Sequence, residues 1–146
     1  MPHPFPHHYE ISLAWAGGEN SEISSGSRPK LPGGPPAQFD GTDETRWSPE
    51  HLLLTALAQC MMLTYFALNK RAGIETKSYT SRAESSLDKT KEGIVFTSFK
   101  VTVELKVPAA RIDEAKRLLE SAKKHCIISN ALKTPASIDA RVEAGP

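Results

Sequence analysis

The stretch HLLLTALAQCMMLTYFALNK, residues 51–70, limits the architecture more than any other part of the chain. It is nearly all apolar, and as a helix it leaves few polar faces, so neighbours should surround it. Leu52 to Leu68 makes 17 residues, at the lower limit for a membrane span, and includes Thr55, Gln59, Thr64 and Tyr65. The rest of the chain reads as amphipathic strands and a further helix that need a core. The expectation is therefore a buried core helix and no membrane, with a second copy of the chain supplying some of the cover. SPEHLLL starts this helix. Ser48 is a good N-cap, Pro49 fits the first helical position, and Glu50 suits the positive end of the dipole. The helix is expected to run to about Arg71, with Gly73 as its stop.

A chain of 146 residues suits one domain, 1–146. A domain of that size buries about two-thirds of its unfolded surface. Mean hydropathy is -0.36, as expected of a soluble globular protein. Lys plus Arg number 18 and Asp plus Glu 17, so no overall charge draws the chain to nucleic acid or anionic lipid, and neither is expected as a partner. Tyr9, Ile11, Leu13 and Trp15 alternate as in a half-buried strand. A Gly17-Gly18 turn and a second short strand in SEISSG complete a hairpin. Residues 26–46, with Pro29, Pro32, Pro35 and Pro36, read as a long irregular surface loop, and loops of that length are often functional.

Two long strands follow, TKSYTSRAESSLD and GIVFTSFKVTVELKV, joined by a polar turn around Lys89 to Gly93. In the second strand Val95, Thr97, Phe99, Val101, Val103, Leu105 and Val107 share one face. Ile94, Phe96, Ser98, Lys100, Thr102, Glu104 and Lys106 share the other. That face is mostly polar, so the sheet is expected to be covered on one side. Residues 109–125 form the second long helix, with Ile112, Ala115, Leu118, Leu119 and Ala122 as its apolar stripe. HCIISNALKTP predicts one short helical turn, and ASIDARVEA a final strand. Strands and helices in this order indicate an α+β protein.

Two cysteines, Cys60 and Cys126, are too few for a disulfide scaffold. MPHPFPHHYE lacks the basic and apolar regions of a signal peptide, so a cytoplasmic location is expected. In that reducing compartment a cysteine pair is catalytic, redox-sensing, metal-bound or merely buried. Cys60 lies ten residues after Glu50, roughly 15 Å along the helix, beyond the reach of the dipole at its N-terminus. Leu53, Ala56, Leu57, Leu63, Thr64 and Ala67 sit on its face. An apolar wall alone raises a thiol's pKa and makes it inert. Cys60 is thus either a small buried filler or a thiol activated by groups from elsewhere in the fold. Cys126 follows KKH in a basic neighbourhood, so the two cysteines could meet as a redox pair.

Zinc is the competing chemistry. Cys60, Cys126, His51 and His125 have no C-x-x-C or H-x-x-x-H spacing, and His51 falls on the far side of the helix from Cys60, so no metal is expected. His3, His7 and His8 sit among prolines and read as a solvated end. In DETRWSPE, the residues Arg46, Glu44 and Glu50 are candidates for activating a thiolate. Arg46 and Glu50 lie too far from Cys60 on one straight helix, so a symmetry-related chain or a folded-back loop must deliver them.

WSPEHLLLTALAQC, followed 66 positions after its cysteine by CIISNAL, resembles the OsmC/Ohr family of thiol-dependent peroxidases. The resemblance extends over nearly the whole chain. It implies an α+β OsmC-like fold, with antiparallel sheets packed around two long central helices in an intertwined homodimer. It implies a hydroperoxide as small-molecule substrate, usually an organic one, and an external thiol reductant in place of a resident cofactor. Cys60 matches the peroxidatic thiolate and Cys126 the cysteine that condenses with its sulfenic acid. Glu50 matches the glutamate of the family's PE motif. Family members carry an arginine in the N-terminal hairpin or in the loop before the cysteine helix. Here the hairpin reads GGEN, with Glu19, and the loop reads AQFDG, with Gln38. Arg46 is the best substitute, and Arg28 is a second. A redox-sensing or ligand-binding module without useful turnover is the rival function, and a structural partner of another protein the third.

Overall fold

The computed structural model describes residues 3–146, which fall into two units divided after Leu52. In the first unit, β1 (Ser12–Trp15), β2 (Ser21–Ser24) and β3 (Leu31–Gly33) form an antiparallel sheet in the order β1-β2-β3. The expected hairpin pairs Ser12 with Ser24 and Trp15 with Ser21. The stretch read as an irregular loop also contains β3 and a 3-10 turn at Ala37–Phe39. Pro32 disguised β3, because proline is tolerated in a strand only at an edge, which is where β3 lies. The Trp47 N–H donates to the Pro32 carbonyl at 2.7 Å, and the Gly34 N–H to the Trp47 carbonyl at 3.1 Å, which ties the end of the loop to the sheet.

The half-buried strand expected from Tyr9 to Trp15 is not half-buried in one chain. Leu13 is 63% and Trp15 77% exposed, and all four residues of β1 lie open to solvent. Alternation marks a face that suits burial, but it does not say what supplies the cover.

α1 (Pro49–Ala72) begins with residues that cluster with the first unit and continues through the second. The Ser48 side chain caps it, its Oγ accepting the His51 N–H at 3.1 Å, and Ser48 is fully buried. Gly73 ends it at φ 66, in the left-handed region that favours glycine, with its N–H bonded to the Asn69 carbonyl. The Asn69 side chain then holds both the N–H and the carbonyl of Ile74, fixing the exit of the chain.

β4 (Ser78–Thr90) and β5 (Gly93–Val107) form the long hairpin, followed by α2 (Ile112–His125), α3 (Ile127–Ala131) and β6 (Ala136–Ala144). The sheet order is β4-β5-β6. β4 and β5 are antiparallel, whereas β5 and β6 are parallel, so this sheet is mixed and not wholly antiparallel as expected. The cause is the connection: the chain leaves β5, crosses through α2, and returns in the same direction.

Phe99, Val101, Val103, Leu105 and Val107 of β5 are buried as the alternation predicts. Phe96 departs from it. Ser86 pairs with Ser98 but Leu87 pairs with Phe96, so Thr97 is an extra residue in a bulge. The bulge shifts the alternation by one position, and Phe96 packs on the core with its ring 5.0 Å from that of Phe99. Leu57, Met61 and Tyr65 of α1 and Ala115, Leu119 and Ala122 of α2 complete the core together with Cys126.

Candidate functional site

Cys60 and Cys126 are brought together. Both are free thiols, Cys126 fully buried and Cys60 partly exposed, and they are near enough for each to act on the other's ionisation. α1 presents Cys60 from its middle. Cys126 is the junction between α2 and α3, an extended residue at φ -67 and ψ 112 that turns the chain from one helix into the next.

The surroundings push the two thiols apart. Burial acts on Cys60 to raise its pKa, but four neighbouring groups outweigh it: the Ile128 N–H, the Cys126 thiol, the Thr64 hydroxyl and the Ile127 N–H. The net direction is down, toward thiolate. For Cys126 burial comes first and raises the pKa. The Ser129 N–H lowers it, but the neighbouring Cys60 raises it further, and the net direction is up. Two like groups side by side with opposed directions are suited to different roles, one a nucleophile and the other a proton-bearing partner.

These groups bear on the choice between filler and activated thiol. The sequence points to arginine and glutamate side chains as the activating groups. In the unit that holds both cysteines the largest lowering influence is a peptide N–H of the CIISNAL segment, that of Ile128, which carries no residue-type signature. The signal available was positional: the first N–H groups of a helical turn lack internal partners, and that turn was predicted at Cys126. Tyr79 of β4 was also missed. Its hydroxyl oxygen is buried without a hydrogen-bond partner among the described residues, and burial first, then Tyr65 and Cys126, push it up to about 12, so it remains a neutral donor.

The other predicted residues lie in the first unit. Arg46 Nε stands 3.3 Å from Asp43 Oδ2 as an ion pair without hydrogen-bond alignment, and Arg46 Nη1 donates to the Ser21 and Gly33 carbonyls. Asp43 also accepts from the Thr45 hydroxyl and N–H, which with Arg46 hold its carboxyl below the usual carboxylate range. Glu50 sits in the first turn of α1, and its Oε2 is buried with no hydrogen-bond partner among the described residues. Arg46, Glu44, His51 and Gln38 border one cavity of about 300 Å3 beside the Pro35-Pro36 bend. The Ser48 hydroxyl is hydrogen-bonded to His51 Nδ1. Arg28 Nη1 donates to the Ser25 carbonyl, in its own turn.

The family model described as OsmC-like protein matches residues 41–141, which include both cysteines. The uncharacterized protein YmaD of Bacillus subtilis is 30% identical over 152 aligned residues, which cover 94% of this chain and 93% of YmaD. Peroxiredoxin OsmC of Escherichia coli is 28% identical over 120 residues, 82% of each chain. Among solved structures, an organic hydroperoxide resistance protein from Elizabethkingia anophelis has the same fold, with a TM-score of 0.71 at 23% identity over 97% of this chain and 100% of that one.

Proposed function

The chain belongs to the OsmC-like protein family, and on that footing we propose that it is a thiol-dependent peroxidase that reduces organic hydroperoxides to alcohols. The observation that carries this reading is the contact between two free thiols whose pKa values are driven in opposite directions, Cys60 down and Cys126 up. The Cys60 thiolate attacks the terminal peroxide oxygen, the O–O bond breaks, and the alkoxide leaves as alcohol after taking a proton. Cys60 becomes a sulfenic acid. Cys126 attacks that sulfur, water leaves, and a Cys60–Cys126 disulfide remains. An external dithiol reduces it by exchange and restores both thiols, so the cycle uses no resident cofactor.

The homology to a peroxiredoxin supports the activity, and the apolar residues around Cys60 support an organic substrate, whose tail gains from burial where hydrogen peroxide has none to bury. Leu53, Leu57, Met61, Met62 and Phe66 are the candidates for that contact. Arg46 is the proposed cation for the thiolate and Glu50 the carboxylate that orients it. The unpartnered Glu50 oxygen supports this, because buried polar atoms are almost always paired. The working unit is proposed to be a cytoplasmic homodimer, supported by the apolar flanks of α1 and the open face of β1.

One observation favours a second reading, a redox sensor with little turnover: Arg46 is already engaged by Asp43. Consumption of cumene hydroperoxide by the reduced protein with dithiothreitol separates the two, with hydrogen peroxide and a Cys60→Ser variant in parallel. The enzyme predicts rapid loss of the organic peroxide that disappears in Cys60→Ser. Wild-type turnover no faster than the variant's ends the peroxidase reading in favour of the sensor.

A further inference from the structure

Thr64 follows Cys60 by one turn of α1. Its hydroxyl donates to the Cys60 carbonyl at 2.7 Å, and the same oxygen lies 3.9 Å from Cys60 Sγ. In an α-helix that carbonyl also receives the N–H of residue 64. The hydroxyl is therefore its second donor, and the carbonyl keeps a partner if the hydroxyl turns away. Threonine in a helix divides between two χ1 rotamers because its Oγ1 can bond the carbonyl of the preceding turn. A thiolate within reach is a stronger acceptor than a carbonyl that is already bonded, since hydrogen bonds to ionised groups are roughly twice as strong as neutral ones.

We propose that Thr64 is a positioning residue for the Cys60 sulfur, its hydroxyl exchanging the Cys60 carbonyl for Sγ as acceptor when the thiol ionises. The S–H bond breaks heterolytically, the electron pair stays on sulfur and the proton goes to solvent. Thr64 keeps its own O–H throughout and changes only its acceptor. The other groups around the sulfur are the Ile127 and Ile128 N–H groups of α3 and the thiol of Cys126, the titratable neighbour, which in turn acts on Tyr79 of β4. The inference rests on the thiol chemistry proposed above only in requiring Cys60 to ionise.

The test is the pH dependence of iodoacetamide alkylation at Cys60, followed by peptide mass spectrometry in the reduced full-length protein. Thr64→Val removes the hydroxyl and keeps the branched shape, and Thr64→Ser restores it. The expected result is a rise in the half-point for Thr64→Val, roughly tenfold slower alkylation at pH 7, and a return toward wild type in Thr64→Ser. A Thr64→Val profile that overlays the wild type overturns the proposal. So does a Thr64→Ser profile that matches Thr64→Val, because the effect would then belong to packing. If Thr64→Val does not fold, Thr64→Ala against Thr64→Ser makes the same comparison. Alkylation consumes no peroxide, so a wild type without turnover ends the peroxidase reading alone, and an unmoved profile ends the role of Thr64 alone.

Discussion

α1 and α2 each deliver one cysteine, and they are built on different plans. α2 has 14 residues, with Ala115, Leu119 and Ala122 buried and Lys116, Glu120, Lys123 and Lys124 turned outward or to the edge. One chain satisfies it. α1 has 24 residues, and only Leu57, Met61 and Tyr65 are fully buried. Its outward row is His51, Thr55, Gln59, Leu63 and Ala67, polar in the first half and apolar in the second. By length and composition α1 would pass for a membrane span, with a mean hydropathy of 1.5 and 17% of its most apolar stretch buried in one chain. A clean stripe signals a helix that its own sheet can cover. An apolar helix without a clean stripe signals more contact surface than one chain provides.

The sharpest contrast should come from the side that is complete. Leu119→Ala removes a fully buried side chain from α2 and is expected to cost about 2–5 kcal/mol, read as a lower urea midpoint at unchanged slope. A smaller loss would mean that α2 is less settled than its stripe implies. On α1, Leu63 is 53% exposed. If a second copy covers it, Leu63→Glu should weaken self-association by roughly 100-fold in sedimentation velocity, as expected for an interface hot spot, while Lys123→Glu on α2 leaves it unchanged. Equal behaviour of the two variants breaks the comparison.

The thiols extend the contrast at lower cost. A lowered pKa means ionisation at lower pH, and a raised one the reverse. As pH climbs, Cys60 should therefore be alkylated first, at pH 7 about tenfold or more faster than Cys126, whose burial slows it further. Cys126 reacting first would reverse the assignment of roles. The smallest effect concerns two neighbouring tyrosines. The Tyr65 hydroxyl is bonded to the Thr76 hydroxyl at 3.0 Å, and Tyr79 has no partner. Tyr65→Phe is expected to cost about 1 kcal/mol, whereas Tyr79→Phe should be neutral or slightly stabilising, both by urea denaturation.

Much of this was legible in the residues. Ser48 and Gly73 marked the ends of α1 because capping is local chemistry. The stripe of α2 and the β5 alternation beyond Thr97 named their buried residues, because periodicity reports directly on a covered face. What escaped was set by partners distant in sequence or by the backbone. The bulge at Thr97 depends on the register with β4, and the parallel pairing of β6 on where α2 returns the chain. In the sequence Thr64 reads as part of an apolar wall, though its hydroxyl is a donor beside the thiol. The Arg46 to Asp43 pair was visible as a three-residue spacing, but it was passed over in favour of the glutamates.

The adjacent thiols are also far apart along the chain. Between Cys60 and Cys126 run the rest of α1, β4, β5 and α2, a separation of 66 positions. A covalent bond between the sulfurs would close a loop that size and restrict the unfolded chain, worth about 4 kcal/mol on the chain-entropy account. Oxidation would thus act as a clasp, spanning most of the second unit and making the spent protein harder to unfold than the fresh one. Heat or protease would then read out the redox state: a molecule with the bond would outlast one without it.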